Sequence, residues 1–243
     1  MFEGMETVEL EHAGTLLRGY IARPPGGEIR PAVLVMHSGM GIAHKDVVEP
    51  AAKKLASLGY VAVCSDMYGA HLEGAGQDGY APAYQDLQFD NPAKQRARTQ
   101  AWFDTVAALS YVDAKRIAAV GFCYGGTTAL ELARSGADLR AAVSYHGILT
   151  TYRKAEPGAI RGEVVVYCGG GDPWAPHEEV EDLRKELIAA GHRNYQVTIF
   201  GAADHGFTDR HAAEQNLEGL SFHELSNDLS WNGTVALLEH VFR

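Results

Sequence analysis

The fold of this chain is decided by residues 118–130, which read AAVGFCYGGTTAL. Residues 117–120 form a short apolar run that suits a buried strand. Thr127 begins a stretch with helical spacing, and a turn rich in glycine joins the two halves. The stretch therefore predicts a strand, a sharp turn and a helix in immediate succession.

Cys123 lies at the centre of that turn, in the pattern Gly121-x-Cys123-x-Gly125. This is the elbow that presents a nucleophile between a strand and a helix, with cysteine in place of serine. The tight turn needs small neighbours, and the N-terminus of the following helix favours a thiolate over a thiol. The alternative is an ordinary buried cysteine in a glycine-rich turn, because free cysteine is among the most buried residue types. An acid and a histidine farther along the chain would decide between the two.

The composition is that of an acidic globular protein. The chain has 243 residues, of which 46% are hydrophobic, enough for one large domain with a sizeable core. Its formal net charge of -10 argues against nucleic acid or an anionic membrane surface as a partner. Three cysteines are too few for a disulfide framework, so we expect a reducing compartment, the cytoplasm. We also expect neither a signal peptide nor a membrane span, because no apolar run has the required length.

Apolar runs and helical patterns alternate from Ala32 to the end of the chain. Before them, residues 7–10 and 16–22 predict an antiparallel hairpin. The strands predicted after the hairpin are 32–36, 60–64, 116–121, 141–145, 163–168 and 195–200. The predicted helices begin near residues 48, 92, 124, 176 and 229, and the helix that begins near 92 is predicted to end near residue 112. The alternation predicts one α/β domain over 1–243, a mostly parallel, doubly wound sheet with helices on both faces.

Residues 65–91 break this alternation. They are long for a connection and contain few periodic apolar positions, with several glycines among Tyr68, His71, Tyr80 and Tyr84. Loops of this length inside compact domains are usually lids or binding loops. We therefore predict a lid or active-site loop over residues 66–92.

Two later loops carry the acid and the histidine that the cysteine requires. Asp172 follows the strand over 163–168, and His205 follows the strand over 195–200. The order nucleophile, acid, histidine is that of the α/β-hydrolases, and all three positions follow strand ends on one edge of the sheet. In this reading Cys123 attacks as a thiolate, His205 is the general acid and base, and Asp172 holds the imidazole.

A tetrahedral oxyanion would need donors aimed at the position where its charge develops. The backbone N–H of Tyr124, at the start of the elbow helix, is one predicted donor. The second is predicted in the loop after the 32–36 strand, at Gly39.

The chain resembles the dienelactone hydrolase family of α/β-hydrolases. The matching segments are GFCYGG at 121–126, GGDP at 170–173 and DHGF at 204–207, together with the layout from residue 32 onward. The resemblance implies the α/β-hydrolase fold and a Cys123–Asp172–His205 triad that hydrolyses an ester or a lactone.

The sequence departs from the family pattern at two places. The best-known members carry a glutamate in the oxyanion loop, where this chain has Ser38. They also carry an arginine shortly after the histidine that binds the substrate carboxylate. Here the nearest arginine is Arg210, offset by one position, and Asp209 stands closer to the histidine. Both departures concern the substrate more than the hydrolytic chemistry.

Several other residues are candidates for the site. Asp204 could compete as the acid but is a neighbour of His205 in a turn, where aspartate is favoured. The substrate pocket is predicted to include His37, Ser38, Tyr68, Trp174 and Tyr145. For His37 the alternative is local hydrogen bonding, and for the aromatic residues it is packing. No histidine pair has zinc-site spacing, and no G-K-[ST] follows Gly169 to Gly171, so neither metal nor cofactor is predicted.

These observations predict a hydrolase that cleaves carboxylic esters or lactones through a thioester intermediate. One alternative is the hydrolysis of other activated esters, such as phosphotriesters. Another is a non-catalytic thiol-sensing module on the same fold, with Cys123 reacting with oxidants. The expected partner is a small-molecule ester or lactone, and the expected oligomeric state is a monomer or a homodimer.

Overall fold

A computed structural model describes residues 2–44 and 47–243. Within these ranges, eight strands form one sheet in the order β1-β2-β4-β3-β5-β6-β7-β8. The strands are β1 (Glu6–His12), β2 (Thr15–Ala22), β3 (Arg30–Met36), β4 (Val61–Ser65), β5 (Val112–Phe122), β6 (Ala141–Tyr145), β7 (Glu163–Gly169) and β8 (Tyr195–Phe200). The pairs β1–β2 and β2–β4 are antiparallel, and the other neighbours are parallel. The predicted hairpin and the mostly parallel sheet are confirmed.

In the part of the chain that the structure describes, six α-helices connect or flank the strands. They are α1 (Val48–Ser57), α2 (Gly76–Gln85), α3 (Pro92–Ala107), α4 (Tyr124–Arg134), α5 (His177–Ala189) and α6 (Glu224–Val241). Apolar residues of α3, α4 and α5 pack on one face of the sheet, and those of α1 and α6 pack on the other. The sheet is therefore doubly wound, as the alternation in the sequence predicts. Within the described ranges, no helix is long and apolar enough to cross a membrane.

The central position of β3 follows from its composition. Its residues Ala32 to Met36 are fully buried, because the strand lies between β4 and β5 with helices above and below. A strand buried on both faces must be apolar throughout rather than alternating. Because β3, β5, β7 and β8 run parallel, the loops that follow them leave the sheet at the same edge, where the predicted site residues lie.

The segment predicted as a long loop over 66–92 is largely helical, so its description as a loop was wrong. It contains a 3₁₀ turn (Ala70–Leu72), α2 and a π-helical turn (Asp86–Asp90) that leads to α3. Sequence periodicity misses α2 because Tyr80 is its one buried residue. The ring of Tyr80 packs 5.7 Å from that of Tyr68, so tertiary aromatic packing holds the helix. Movement of this segment as a lid stays a prediction.

Two helix boundaries also differ from the prediction. Helix α3 ends at Ala107 rather than near residue 112, because Val112 already belongs to β5. Helix α6 begins at Glu224, five residues before the predicted start at 229. The side chain of His223 accepts a hydrogen bond from the N–H of Ser226 and caps the helix. The buried residues in the first turns of α6 are Ser226 and Ser230. A search for apolar residues at helical spacing misses this part of the helix because both residues are polar.

Candidate active site

The turn between β5 and α4 holds Cys123 in a strained conformation. Its φ is 55°, in the left-handed region that residues with a side chain rarely adopt. A Cβ on Gly121 would lie 1.9 Å from the carbonyl oxygen of Gly125, and one on Gly125 would lie 2.1 Å from that of Met36. Both glycines are therefore required by close backbone approach, as the elbow pattern predicts.

The structure brings Cys123, Asp172 and His205 together. His205 Nε2 lies 3.1 Å from Cys123 Sγ, and His205 Nδ1 lies 2.8 Å from Asp172 Oδ2. The Asp172 and His205 side chains are almost fully buried. A thiol within hydrogen-bonding reach of a base, which a carboxylate orients in turn, is the arrangement used in nucleophilic catalysis.

Asp172, rather than Asp204, contacts the imidazole. The second carboxylate oxygen of Asp172 accepts the backbone N–H of Trp174 at 2.8 Å, which fixes its rotamer. Asp204 accepts instead from the Ser221 hydroxyl at 2.7 Å. The two acidic residues thus have separate places, one at the imidazole and one in the loop that carries His205.

The electrostatics of the site favour a thiolate–imidazolium pair. Burial would raise the pKa of the Cys123 thiol, but the positive charge and hydrogen bond of His205 outweigh it and lower that pKa. The backbone N–H groups of Gly39 and Tyr124 also donate toward the sulfur and lower its pKa further. Burial likewise opposes a charged His205, yet the thiolate and Asp172 raise the His205 pKa to about 10. The two groups titrate as a pair.

Cys123 and His205 open into a cavity of about 220 Å³. Its wall is mainly apolar and includes Met40, Val47, Phe122, Ile148, Leu217 and Leu220. Of the five predicted pocket residues, Ser38 and Trp174 line this cavity. Tyr84, from the end of α2, lines it as well.

Three predicted pocket residues lie behind the cavity wall, so their placement in the pocket was wrong. His37 accepts the backbone N–H of Met67 through Nε2, and burial lowers the pKa of its imidazole. Tyr68 donates its hydroxyl to the carbonyl of Gly39 at 3.0 Å, which supports the loop after β3. Tyr145 belongs to the core on the α6 side of the sheet, where its hydroxyl meets Thr234. A residue's position at the end of a strand predicts that it lies near the site, but it does not predict toward which face of the sheet its side chain points.

Sequence reasoning missed His146, which follows β6. Its φ is 40°, its ring centre lies 5.0 Å from that of His205, and Nε2 lies 2.8 Å from the Thr208 hydroxyl. Burial first, and then the charge of His205, hold the pKa of His146 well below its usual range. The signal was available, because His146 directly follows a parallel strand at the edge that carries the other loops.

The loop after His205 forms another part of the cavity wall, which no sequence motif predicts. Thr208, Asp209, Gln215 and Leu220 line the cavity, and the backbone of His205 bonds with that of Gly219 and Ser221. In residues 2–44 and 47–243, no group of three or more His, Cys, Asp or Glu side chains is arranged to hold a metal ion.

The fold and this site define an α/β-hydrolase. The sequence profile of the dienelactone hydrolase family matches residues 17–242, and the chain belongs to that family. As a member of this family, the protein is a hydrolase.

Solved structures agree with this assignment. One named m3DLH superposes with a TM-score of 0.90 at 34% identity, covering 98% of both chains. A dienelactone hydrolase-like promiscuous phosphotriesterase from metagenomic libraries superposes with a TM-score of 0.88 at 31% identity, again over 98% of both chains.

Among curated proteins, the chain is 25% identical to a carboxymethylenebutenolidase homolog of Xenopus tropicalis, over 93% of this chain and 89% of that one. It is also 25% identical to a probable 2-oxo-3-(5-oxofuran-2-ylidene)propanoate lactonase of Bradyrhizobium sp, over 96% of this chain and 93% of that one.

Proposed function

We propose that this hydrolase cleaves carboxylic esters or lactones with Cys123 as the nucleophile, through a thioester intermediate. The observation that carries the proposal is the 3.1 Å approach of His205 Nε2 to Cys123 Sγ, in a setting that lowers the thiol pKa. A thiolate is the nucleophilic form of cysteine, so the pair is ready to attack a carbonyl carbon.

Acylation begins when the thiolate adds to the carbonyl carbon and the carbonyl oxygen becomes an oxyanion. The backbone N–H groups of Gly39 and Tyr124, already directed at the sulfur, are the donors for that oxyanion. As the tetrahedral intermediate collapses, the imidazolium of His205 gives its proton to the leaving oxygen. A thioester on Cys123 and a neutral His205 remain.

Deacylation uses the same groups in reverse. Neutral His205 takes a proton from water, and the resulting hydroxide adds to the thioester carbonyl. Collapse of this second tetrahedral intermediate releases the carboxylic acid and restores the thiolate beside the imidazolium. Asp172 keeps Nδ1 of His205 protonated, so that Nε2 faces the reaction throughout.

The cavity and the relatives indicate the substrate class. A mainly apolar space of about 220 Å³ suits a small acyl group and a small leaving group. Lactone hydrolysis is named for the Bradyrhizobium relative, and lactones release an oxygen leaving group as esters do. Thiolates suit enolate and phenolate leaving groups better than amines, so peptides are poor candidates.

The test is hydrolysis of 4-nitrophenyl esters and simple lactones by the wild type, Cys123→Ala and Cys64→Ala. Cys64 is a buried thiol on β4 outside the site, so its variant controls for loss of a cysteine in general. We expect turnover by the wild type and Cys64→Ala and none by Cys123→Ala, with circular dichroism confirming the fold. Wild-type rates in folded Cys123→Ala would refute the proposal.

A second activity, phosphotriester hydrolysis, is favoured by the 31% identity to the promiscuous phosphotriesterase. The N–H groups of Gly39 and Tyr124 could receive a phosphoryl oxygen in the same way. Attack would leave a phosphorylated thiol, which water must then hydrolyse. Slow dephosphorylation should give a burst of 4-nitrophenol equal to the enzyme concentration, followed by a stall. The non-catalytic thiol-sensing alternative has no specific observation in its favour.

We also propose that the protein works in the reducing cytoplasm. Its three cysteines, Cys64, Cys123 and Cys168, are all free, and Cys123 lines the cavity, where its thiolate can meet small oxidants. Mild peroxide should inactivate the enzyme and dithiothreitol should restore it. Full activity after prolonged oxidation would contradict the proposal that the enzyme needs a reducing compartment.

A further inference from the structure

Asp209 brings a carboxylate to the catalytic cavity. It lines the same space as Cys123 and His205, and its side chain is 9% exposed. One carboxylate oxygen accepts the backbone N–H of His211 at 2.9 Å, and the other lies 3.8 Å from Nε2 of His44. These contacts fix the side chain beside the space that a substrate would occupy.

The described wall of the cavity offers few positive charges that could pair with an anionic group of a substrate. Among residues 2–44 and 47–243, no lysine or arginine lines this cavity. Arg210 lines a neighbouring cavity instead, with its guanidinium 4.6 Å from the ring centre of Phe222. The cation at the reaction centre, His205, is already paired with Cys123 and Asp172.

A carboxylate on the substrate would therefore be buried near Asp209, within a mainly apolar wall. Removing an unpaired charge from water is costly, and like charges repel more strongly where the local dielectric is low. A neutral group meets neither penalty, and a cationic group would gain an opposite charge. A site can obtain specificity by repelling the wrong substrate as well as by attracting the right one.

We propose that Asp209 is a specificity-determining residue that excludes anionic substrates and restricts this enzyme to neutral and cationic esters. The inference rests on the proposed function, because it concerns the same cavity. It assigns the substrate class by charge, which the chemistry of the triad leaves open.

The test uses three 4-nitrophenyl esters on one trans-alkenoyl frame. The far end carries a carboxylate in 4-nitrophenyl hydrogen fumarate, a methyl ester in 4-nitrophenyl methyl fumarate, and a quaternary ammonium in 4-nitrophenyl 4-(trimethylammonio)crotonate. The trans double bond keeps the carboxylate from assisting its own hydrolysis. The quantity compared is the ratio of kcat/KM values within one variant, which cancels any general loss of active enzyme.

The variants are Asp209→Asn and, as a matched control, Asp182→Asn, which removes the same charge from an exposed position on α5. We expect the wild type to prefer the neutral ester over the anionic ester by about tenfold or more. Asp209→Asn should raise the anionic-to-neutral ratio by about tenfold and lower the cationic-to-neutral ratio, while Asp182→Asn leaves both ratios unchanged. A ratio in Asp209→Asn within about twofold of the wild type would overturn the proposal.

A second measurement separates this proposal from the proposed function. Iodoacetamide is neutral and iodoacetate is anionic, and both alkylate a reactive thiolate without any ester turnover. The iodoacetate-to-iodoacetamide rate ratio at Cys123 should rise severalfold in Asp209→Asn and not in Asp182→Asn. If no ester is hydrolysed, the proposed function fails, and this ratio still supports or overturns the role of Asp209.

Discussion

At Cys123 two opposing effects act on one sulfur atom. Burial penalises a charged sulfur, whereas His205 and the N–H groups of Gly39 and Tyr124 stabilise it and prevail. The same balance acts on His205, where burial opposes the imidazolium and the thiolate favours it. The contrast is Cys64, a thiol with no such neighbours, whose pKa burial raises far above its usual range.

The pH profile of Cys123 alkylation follows from these shifts. The thiolate exists above the lowered Cys123 pKa, and the imidazolium exists below the His205 pKa of about 10. We therefore expect the alkylation rate to rise at a pH well below that of an ordinary thiol, reach a plateau, and change again near pH 10. In His205→Gln the thiolate loses its partner, so the rise should move to higher pH. A rise at the same pH in both proteins would contradict the ion pair.

His146 and Trp174 meet the His205 ring edge-on, at centroid distances of 5.0 and 4.9 Å. We predict that His146→Ala lowers kcat by about tenfold and raises the pH at which Cys123 alkylation begins, because His205 loses a packing surface that orients it. His192→Ala, which removes a buried histidine bonded to Asn194 elsewhere, is the control. Equal kcat values and unchanged alkylation profiles in both variants would show that His146 does not orient His205.

At the scale of elements, the elbow depends on three backbone segments that nearly touch. Gly121 is the penultimate residue of β5, Gly125 is the second residue of α4, and Met36 is the last residue of β3. The sequence predicts this turn because a side chain at Gly121 or Gly125 would collide with the backbone, so that glycine is needed at both positions. It could not predict α2, whose packing comes from aromatic rings such as Tyr80 rather than from an apolar stripe.

Replacing Gly121 by Ala tests the elbow. The new Cβ would lie 1.9 Å from a backbone oxygen, so the strand and helix must separate. We expect a loss of about 3 kcal/mol or more in the free energy of unfolding, measured by urea denaturation. Gly27→Ala, where a Cβ has nothing within 4 Å, is the matched control and should leave the urea midpoint nearly unchanged. Equal midpoints for the two variants would show that the turn tolerates a side chain.

At the scale of the whole molecule, the parallel sheet explains why the cluster of thiol, carboxylate and imidazole could be predicted. Cys123, Asp172 and His205 each follow a parallel strand, and such strands end at one edge. Tyr145 and His146 show the limit of this reasoning, since adjacent residues at one strand end face the core and the cavity. The wall around Leu217 and Leu220 was beyond prediction, because its position depends on tertiary contacts of a loop without periodicity.

A buried ion network joins two helices on one face of the sheet. Arg134 of α4 binds Glu131 and Glu186, all nearly without solvent exposure, and Glu186 of α5 also accepts the N–H of Ala155. We predict that Glu186→Ala lowers the free energy of unfolding by about 3 kcal/mol, because it leaves part of a buried charge uncompensated. The exposed pair of Glu181 and Arg184 provides the control, and Glu181→Ala should barely change the urea midpoint. Similar losses in both variants would argue against this network.

The central claim is that Cys123 carries the acyl group during turnover. The most direct measurement is mass spectrometry of enzyme quenched in acid within milliseconds of mixing with a 4-nitrophenyl ester. We predict an added acyl mass on the peptide that contains Cys123, present during turnover, absent after substrate exhaustion and never formed in Cys123→Ala. Rapid turnover with no acyl group on Cys123 in any quench, together with full activity in folded Cys123→Ala, would contradict the account.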